Sequence, residues 1–414
     1  MIYLGGIVFM KICLNDLLNQ LSYAIDCVEA ELMGVSSFHS KRVAVVSIEM
    51  GRLLGFDRYM LMDLAAVALL HDNALAECIQ SEYVMVNSMD KGNGAISMKE
   101  HCITGEENIK RMPFYKRGKG AILYHHERAD GEGPFGKSYT QVPAFARIVH
   151  IADVLDTSFD LRNIDSKKYM EMYKFVKDNE GILFDSGIVS TFLKAFNNEQ
   201  SMGIMEQSMK RNILNYLPEV YLECGNSLLI DISGIFSKIV DYKSEFTSRH
   251  SDGIAKKAME MGKYYGYDKD KQTKLYVAGA LHDIGKLIIN NEILEKPGKL
   301  TDQEYLNIKD HAEASYIMLK SIRGMEEIMP WACMHHEKLD GTGYPFGKKA
   351  DELGHEERLI ACLDIYQALS EERPYKKGKT HNEAIAILKS MSADGKIDES
   401  IVNDIDRHFK KDGK

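Results

Sequence analysis

Cysteine is scarce and scattered. Seven cysteines are spread over 414 residues. None forms a CxxC pair, which argues against a disulfide framework and fits reduced core thiols in a cytoplasmic protein. Long apolar runs are missing too. The start, MIYLGGIVFM, stops after ten residues at Lys11, too short to span a bilayer and without the basic flank of a signal peptide. Met10 offers an alternative start, in which case the first nine residues are not part of the protein. No membrane insertion is expected. Positive charge is not in excess: a net charge of −9 argues against binding polymeric nucleic acid over the whole surface, and leaves room for a small basic pocket for phosphates. Alternating strand patterns are few. No input module of another class, such as a phosphate-accepting receiver, is recognisable, so regulation falls to the chain itself, to a signalling partner protein or to expression. Homodimerisation stays open.

What the chain does have is a repeat of histidines and aspartates. His39, His71, Asp72, His101, His125, His126 and Asp153 recur as His250, His282, Asp283, His311, His335, His336 and Asp364, at an offset of 210 or 211 residues. Ten of the 14 histidines belong to this pattern. A period of that length is two copies of a whole domain, not a solenoid. Imidazoles and carboxylates together are the ligand set of a hard or borderline metal, so each copy is a candidate metal-binding domain.

Most segments carry helical periodicity. Leu14, Leu17, Leu18, Leu21, Ile25, Val28 and Leu32 fall on one helical face, and Leu228, Leu229, Ile232, Ile235 and Ile239 follow the same rule in the second copy. Leu61–Leu70 and Thr273–Leu281 read as buried helices, each ending in a His-Asp pair. Thr301-Asp302-Gln303-Glu304 is a capping box opening the helix that carries His311, and Ser97–Glu100 resembles it ahead of His101. Asp130–Gly136 and Asp340–Gly347 are glycine-rich loops, with a short hairpin expected near them. The expectation is an all-α chain. Its first domain spans 1–200, a helical connector (with a helix at Met205–Leu217) spans 201–225, and the second domain spans 226–414.

A His-Asp pair at the end of a buried helix suits two adjacent metals, because the carboxylate has one oxygen for each. Two metals about 3.5–4 Å apart can share a hydroxide and clamp phosphate oxygens during in-line displacement. Lys286, one turn after Asp283, is placed for a non-bridging phosphate oxygen.

His282-Asp283-Ile284-Gly285-Lys286 resembles the signature of the HD phosphohydrolases. The stretch from His335-His336 to Gly343-Tyr344-Pro345 resembles the hallmark of the HD-GYP subgroup. Leu294–Thr301 and Arg373-Pro374-Tyr375 resemble further motifs of that subgroup. The resemblance covers about residues 226 to 409. It implies a tandem of HD-superfamily helical domains and a cyclic di-GMP phosphodiesterase that opens the ring to pGpG, with some members continuing to GMP or preferring cyclic GMP-AMP. It puts His250, His282, Asp283 and Asp364 on one metal. Asp283 bridges to a second metal held by His311, His335 and His336. Lys286 then contacts phosphate, and Gly343, Tyr344, Pro345 and Arg373 shape the substrate pocket. Iron is the family's usual metal and manganese its substitute, two ions per active domain. Some members add a third metal through a glutamate one turn before the first histidine; that position is Phe246 here, with Glu245 off the face, and Val35 in the first copy. Asp283 and Lys286 are thus the candidate catalytic pair.

The first copy keeps all seven ligand types but not the substrate machinery. Leu75 stands where Lys286 does, the GYP tyrosine is deleted at Gly133-Pro134, and Asn163-Ile164 replaces Pro374-Tyr375 after Arg162. It is expected to bind metal with little or no turnover, in a regulatory or structural role. Another nucleotide phosphohydrolase, or a cyclic-dinucleotide sensor or scaffold without turnover, are the competing readings.

Overall fold

The structure is a computed structural model that describes residues 2–4, 7–33, 38–75, 77–78, 98–202, 214, 217–243, 250–296, 298–372 and 377–410. Ser97, Pro297, Arg373-Pro374-Tyr375 and most of the expected helix at Met205–Leu217 lie outside these residues. Among the described residues the chain is all-α apart from one small sheet, and it divides into two compact units, Cys13–Tyr221 and Leu222–Lys414 with Met1–Ile12.

That sheet holds β1 (Ile2–Leu4) and β2 (Ile7–Cys13), antiparallel to each other, and β3 (Tyr221–Cys224) in the order β1-β2-β3. The opening apolar run is thus strand. It is apolar at nearly every position, so it shows no alternation to read. Tyr221–Cys224, inside the segment expected to be a helical connector, is also strand. Near the second glycine-rich loop the expected hairpin is reduced to one antiparallel bridge, Asp340 to Lys349.

In the first unit, α1 (Leu14–Met33), α2 (His39–Leu53), α3 (Arg58–Leu69) and α4 (Met98–Ile109) are followed by α5 (Ala144–Phe159), α6 (Ser166–Asp178), α7 (Ser186–Ala195) and α8 (Glu199–Met202). Their core is aliphatic, with Val43, Val46, Leu64, Ala65, Ile148 and Val149 fully buried. Asp57 caps α3 by accepting from Tyr59 and Met60 N–H, which fixes where that helix starts.

In the second unit, α9 (Asn226–Lys243), α10 (His250–Tyr264), α11 (Lys269–Leu281), α12 (Asn291–Leu294) and α13 (Asp302–Lys320) precede α14 (Ile328–Cys333), α15 (His355–Ser370), α16 (His381–Ala393) and α17 (Glu399–Phe409). Asp268 caps α11, and the Thr301–Glu304 capping box opens α13. A Cβ on Gly279 of α11 would lie 2.9 Å from the Ala255 backbone of α10. Glycine there lets the two helices approach backbone to backbone, and the His250 and His282 rings meet at 5.5 Å between centroids. Among the described residues, no helix is long and apolar enough to cross a membrane.

Candidate metal centres

In the second unit, helix ends deliver the side chains. His250 is the first residue of α10, and His282 follows the last residue of α11. Asp283 precedes a 3-10 turn, Ile284–Ile288, that carries Lys286. His311 comes from α13, His335 and His336 follow α14, and Asp364 lies on α15. His250, His282, Asp283, His311, His335 and Asp364 are all buried.

Donor atoms of His250, His282 and Asp283 lie within 4.8 Å of one another, and so do those of His311, His335 and His336. Asp283 divides its oxygens between the two groups. Its Oδ2 is 3.0 Å from His282 Nε2, while its Oδ1 is 3.4 Å from His311 Nε2 and 3.9 Å from His335 Nε2. Asp364 Oδ1 is 3.0 Å from His250 Nε2 and 4.0 Å from His282 Nε2. Lys286 Nζ donates to Asp283 Oδ2 at 2.6 Å.

The tautomers are set from outside the cluster. His282 Nδ1 meets the Gly279 carbonyl at 2.8 Å, His335 Nδ1 the Ala332 carbonyl at 2.8 Å, and His311 Nδ1 the Ile308 carbonyl. A carbonyl accepts only, so each Nδ1 carries the proton and each Nε2 keeps a lone pair. The Nε2 atoms of His282, His311 and His335 are buried without a hydrogen-bond partner. Three inward lone pairs beside a split carboxylate fit divalent metal, since outer bonds of this kind orient imidazole ligands. Burial lowers the pKa of His311, His335 and His336, the last to about 3, so these rings are neutral. Burial would raise Asp283, but the neighbouring His282 ring and the Lys286 side chain prevail and hold it well below the carboxylate range. At His250, burial is outweighed by hydrogen bonds to Asp364 and Glu371, and its pKa rises to about 9.

The glycine-rich loop closes over this cluster. Glu337, buried, accepts from Phe346 N–H at 2.8 Å and Lys348 N–H at 3.0 Å. A Cβ on Gly343 would fall 2.3 Å from Lys338 N, so the loop folds back only with glycine there. Tyr344, followed by Pro345 through a cis peptide, lays its ring 4.7 Å from that of His336. Lys309 Nζ sits 5.1 Å from the Tyr344 ring.

The first unit repeats the design. Asp72 Oδ2 is 3.3 Å from His71 Nε2, and its Oδ1 is 3.6 Å from His101 Nε2 and 3.5 Å from His125 Nε2. Asp153 Oδ1 is 3.3 Å from His39 Nε2, and its Oδ2 is 3.9 Å from His126 Nδ1. His71 Nε2 is buried and unpartnered. Burial lowers His101 to about 4 and His126 well below its usual range. Leu75, at the place of Lys286, is buried and apolar.

Each cluster has members that motif reading missed. His250 Nδ1 is held by Glu371 at 3.0 Å, whereas His39 Nδ1 is held by Asp156 at 2.7 Å, itself paired with fully buried Arg42. These two carboxylates occupy non-equivalent positions of the repeat, so no offset reveals them. Cys102 Sγ lies 3.7 Å from His101 Nε2 and from His125 Nδ1; its only sequence signal was adjacency to His101. Arg373, Val35, Glu245 and Phe246 lie outside the described residues.

A family model described as HD domain matches residues 27–174 and again 234–401. The chain is 29% identical to the 3′3′-cGAMP-specific phosphodiesterase 1 of Vibrio cholerae over 383 residues, 90% of this chain and 87% of that protein. It is 30% identical to the 3′3′-cGAMP-specific phosphodiesterase 3 of the same organism over 295 residues, 70% of this chain and 63% of that one. A cyclic di-GMP phosphodiesterase of Pseudomonas aeruginosa is 35% identical over 158 residues, 38% of each chain. The crystal structure of a cyclic GMP-AMP-specific phosphodiesterase of Vibrio cholerae shares the fold, with a TM-score of 0.66 and 23% identity over 97% of this chain and 98% of that chain.

Proposed function

The chain belongs to the HD-domain family, and from that premise we propose that it is a metal-dependent phosphodiesterase that opens cyclic dinucleotides at its second cluster. The observation that carries this reading is the split of Asp283, one oxygen toward His282 and the other toward His311 and His335, beside the ammonium of Lys286. His250, His282, Asp283 and Asp364 would hold one divalent ion, and Asp283, His311, His335 and His336 a second, iron or manganese. The ions would supply an activated water and charge neutralisation at phosphorus.

The chain's own residues do the rest. The carbonyls of Gly279, Ile308 and Ala332 keep three imidazoles in one tautomer and orientation. Lys286, part-exposed at the cluster, meets a non-bridging phosphate oxygen and stabilises the charge that grows there. Tyr344, held by the Glu337-stapled loop with Gly343 and Pro345, offers an aromatic face to a base; Arg373 is assigned to the substrate on its motif alone. The first cluster holds metal but has Leu75 and no tyrosine at these places, so it serves a structural or regulatory role.

Cyclic di-GMP, opened to pGpG, is the substrate implied by the GYP-type motifs. A second substrate, 3′3′-cyclic GMP-AMP, is favoured by one observation: the relative matched over 90% of this chain, through both copies, is named as specific for it, while the named cyclic di-GMP enzyme matches 38%. Chromatography of both dinucleotides incubated with the full chain and Mn(II) or Fe(II) tests this. Linear product from one or both is expected; tight binding of intact ligand without turnover would replace the enzyme with a sensor.

A further inference from the structure

The first cluster is more acidic than the second. At 211 residues' offset, Asp26 and Glu29 of α1 correspond to Ser237 and Val240 of α9, and Leu75 corresponds to Lys286. The first copy has therefore gained two carboxylates and lost an ammonium. Both added acids are buried, Asp26 at 4% exposure and Glu29 at 5%.

Their surroundings account for them only in part: Lys41 and His39 favour the charged form of Asp26, and His39 that of Glu29. Asp26 Oδ1 accepts from Ser40 N at 3.2 Å and Ser40 Oγ at 3.0 Å, but its Oδ2 has no partner. Glu29 has none at either oxygen. The charged groups whose fields reach Glu29 are Asp72, His39, Asp26 and Asp153, which are the cluster's own residues and its neighbour Asp26. Burying a carboxylate without hydrogen bonds or a counter-charge costs several kcal/mol, and Arg42, the buried cation nearby, is committed to Asp156 through two hydrogen bonds. Burial and Asp72 push the Glu29 carboxyl well above its usual range in the absence of a cation.

We propose that Glu29 is a metal ligand: it brings a carboxylate from α1 into the first cluster, which thereby binds one more divalent cation than its seven repeat-derived ligands would hold. Asp26, with its unpartnered oxygen, lies beside that position. The residue differs from the glutamate position of the resembled family, which is Val35 here, and the second copy has Val240 at the place corresponding to Glu29.

The inference rests on the first cluster being a metal site at all, and the test separates the two. The full chain, Glu29→Gln and Asp72→Asn are each saturated with Mn(II), desalted and measured for manganese per chain. Glu29→Gln should lose one equivalent and keep its helical circular dichroism; its thermal midpoint in EDTA should equal or exceed that of the unaltered chain, because a buried acid without hydrogen-bond partners has been removed. If Asp72→Asn loses metal and Glu29→Gln does not, the assignment of Glu29 is overturned while the site stands. If neither loses metal, both fall. Should Glu29→Gln not fold, crystals of the unaltered chain with Mn(II) decide: an anomalous peak at bonding distance from a Glu29 carboxylate oxygen is expected, and none there overturns the proposal.

Discussion

An alanine at Gly285 would place its Cβ 2.0 Å from the His311 carbonyl oxygen and 2.5 Å from Ser315 N. Both are backbone atoms of α13, so no rotamer change relieves the contact. The 3-10 turn and α13 must part by about 1 Å, an overpacking that costs roughly 1–3 kcal/mol. The same movement stretches the bond from Gly285 N–H to Ser315 Oγ, 2.8 Å long, which ties the turn to the helix while Ser315 Oγ donates to the His282 carbonyl at 3.0 Å. Asp283 and His311 sit on opposite sides of that seam. A displacement of about 1 Å at reacting groups is worth on the order of 10²-fold in rate. Gly285→Ala is therefore expected to lower kcat by about that factor at saturating Mn(II), and to lower the thermal midpoint of the metal-free chain. Gly234→Ala is the control, since nothing lies within 4 Å of its added Cβ, and should be neutral or stabilising by about 0.5–1 kcal/mol. The first copy already carries Ala74 at the place of Gly285, with Gly105 in place of Ser315. Full activity and unchanged midpoint in Gly285→Ala would refute the idea that this turn positions Asp283.

Other substitutions test separate parts of the account. Lys286→Ala should cut kcat by on the order of 10²-fold, the typical loss of one charge-stabilising donor, with bound manganese unchanged by elemental analysis. Tyr344→Ala should raise KM about tenfold with less effect on kcat, as expected for loss of an aromatic–base contact worth roughly 1–3 kcal/mol. Arg42→Met should leave buried Asp156 with only His39 Nδ1 and the Leu161 N–H as partners and destabilise the first unit by roughly 1–3 kcal/mol, the cost of a lost charged hydrogen-bond partner, read as a lowered midpoint in calorimetry. His150 is buried against Phe184 and burial pulls its pKa down to about 4. An unfolded histidine titrates near 6.5, so the unfolded chain takes up the proton first, and stability falls as pH drops from about 6.5 toward 4. That amounts to about 2 kcal/mol at pH 5, at 1.36 kcal/mol per pH unit. In the metal-free chain, His150→Phe should flatten this part of the midpoint-versus-pH curve.

The all-α architecture was legible because helical periodicity and capping residues such as Thr301 are local signals. So were the two ligand sets, because a fixed offset exposes residues that the fold later gathers from several helices. Asp283 and His311, 28 positions apart in sequence, are an example. What stayed hidden has no local signature. Glu29 lies on a helix whose apolar face was read as core, and only burial without a partner marks it out. Glu371 and Asp156 perform the same orienting task from non-equivalent positions, so comparison of the copies passes over both. Glu337 reads as part of a motif string, and its role in stapling the loop depends on backbone N–H groups nine and eleven residues further on. The strand at Ile7–Cys13 was hidden by apolar residues on both of its faces.

We assign turnover to the second cluster alone. Hydrolysis of cyclic di-GMP and 3′3′-cyclic GMP-AMP by the manganese-loaded full chain, compared with Asp283→Asn and Asp72→Asn, tests it most directly. Asp283→Asn should abolish product while Asp72→Asn retains it; product retained by Asp283→Asn and lost in Asp72→Asn would overturn this division of labour.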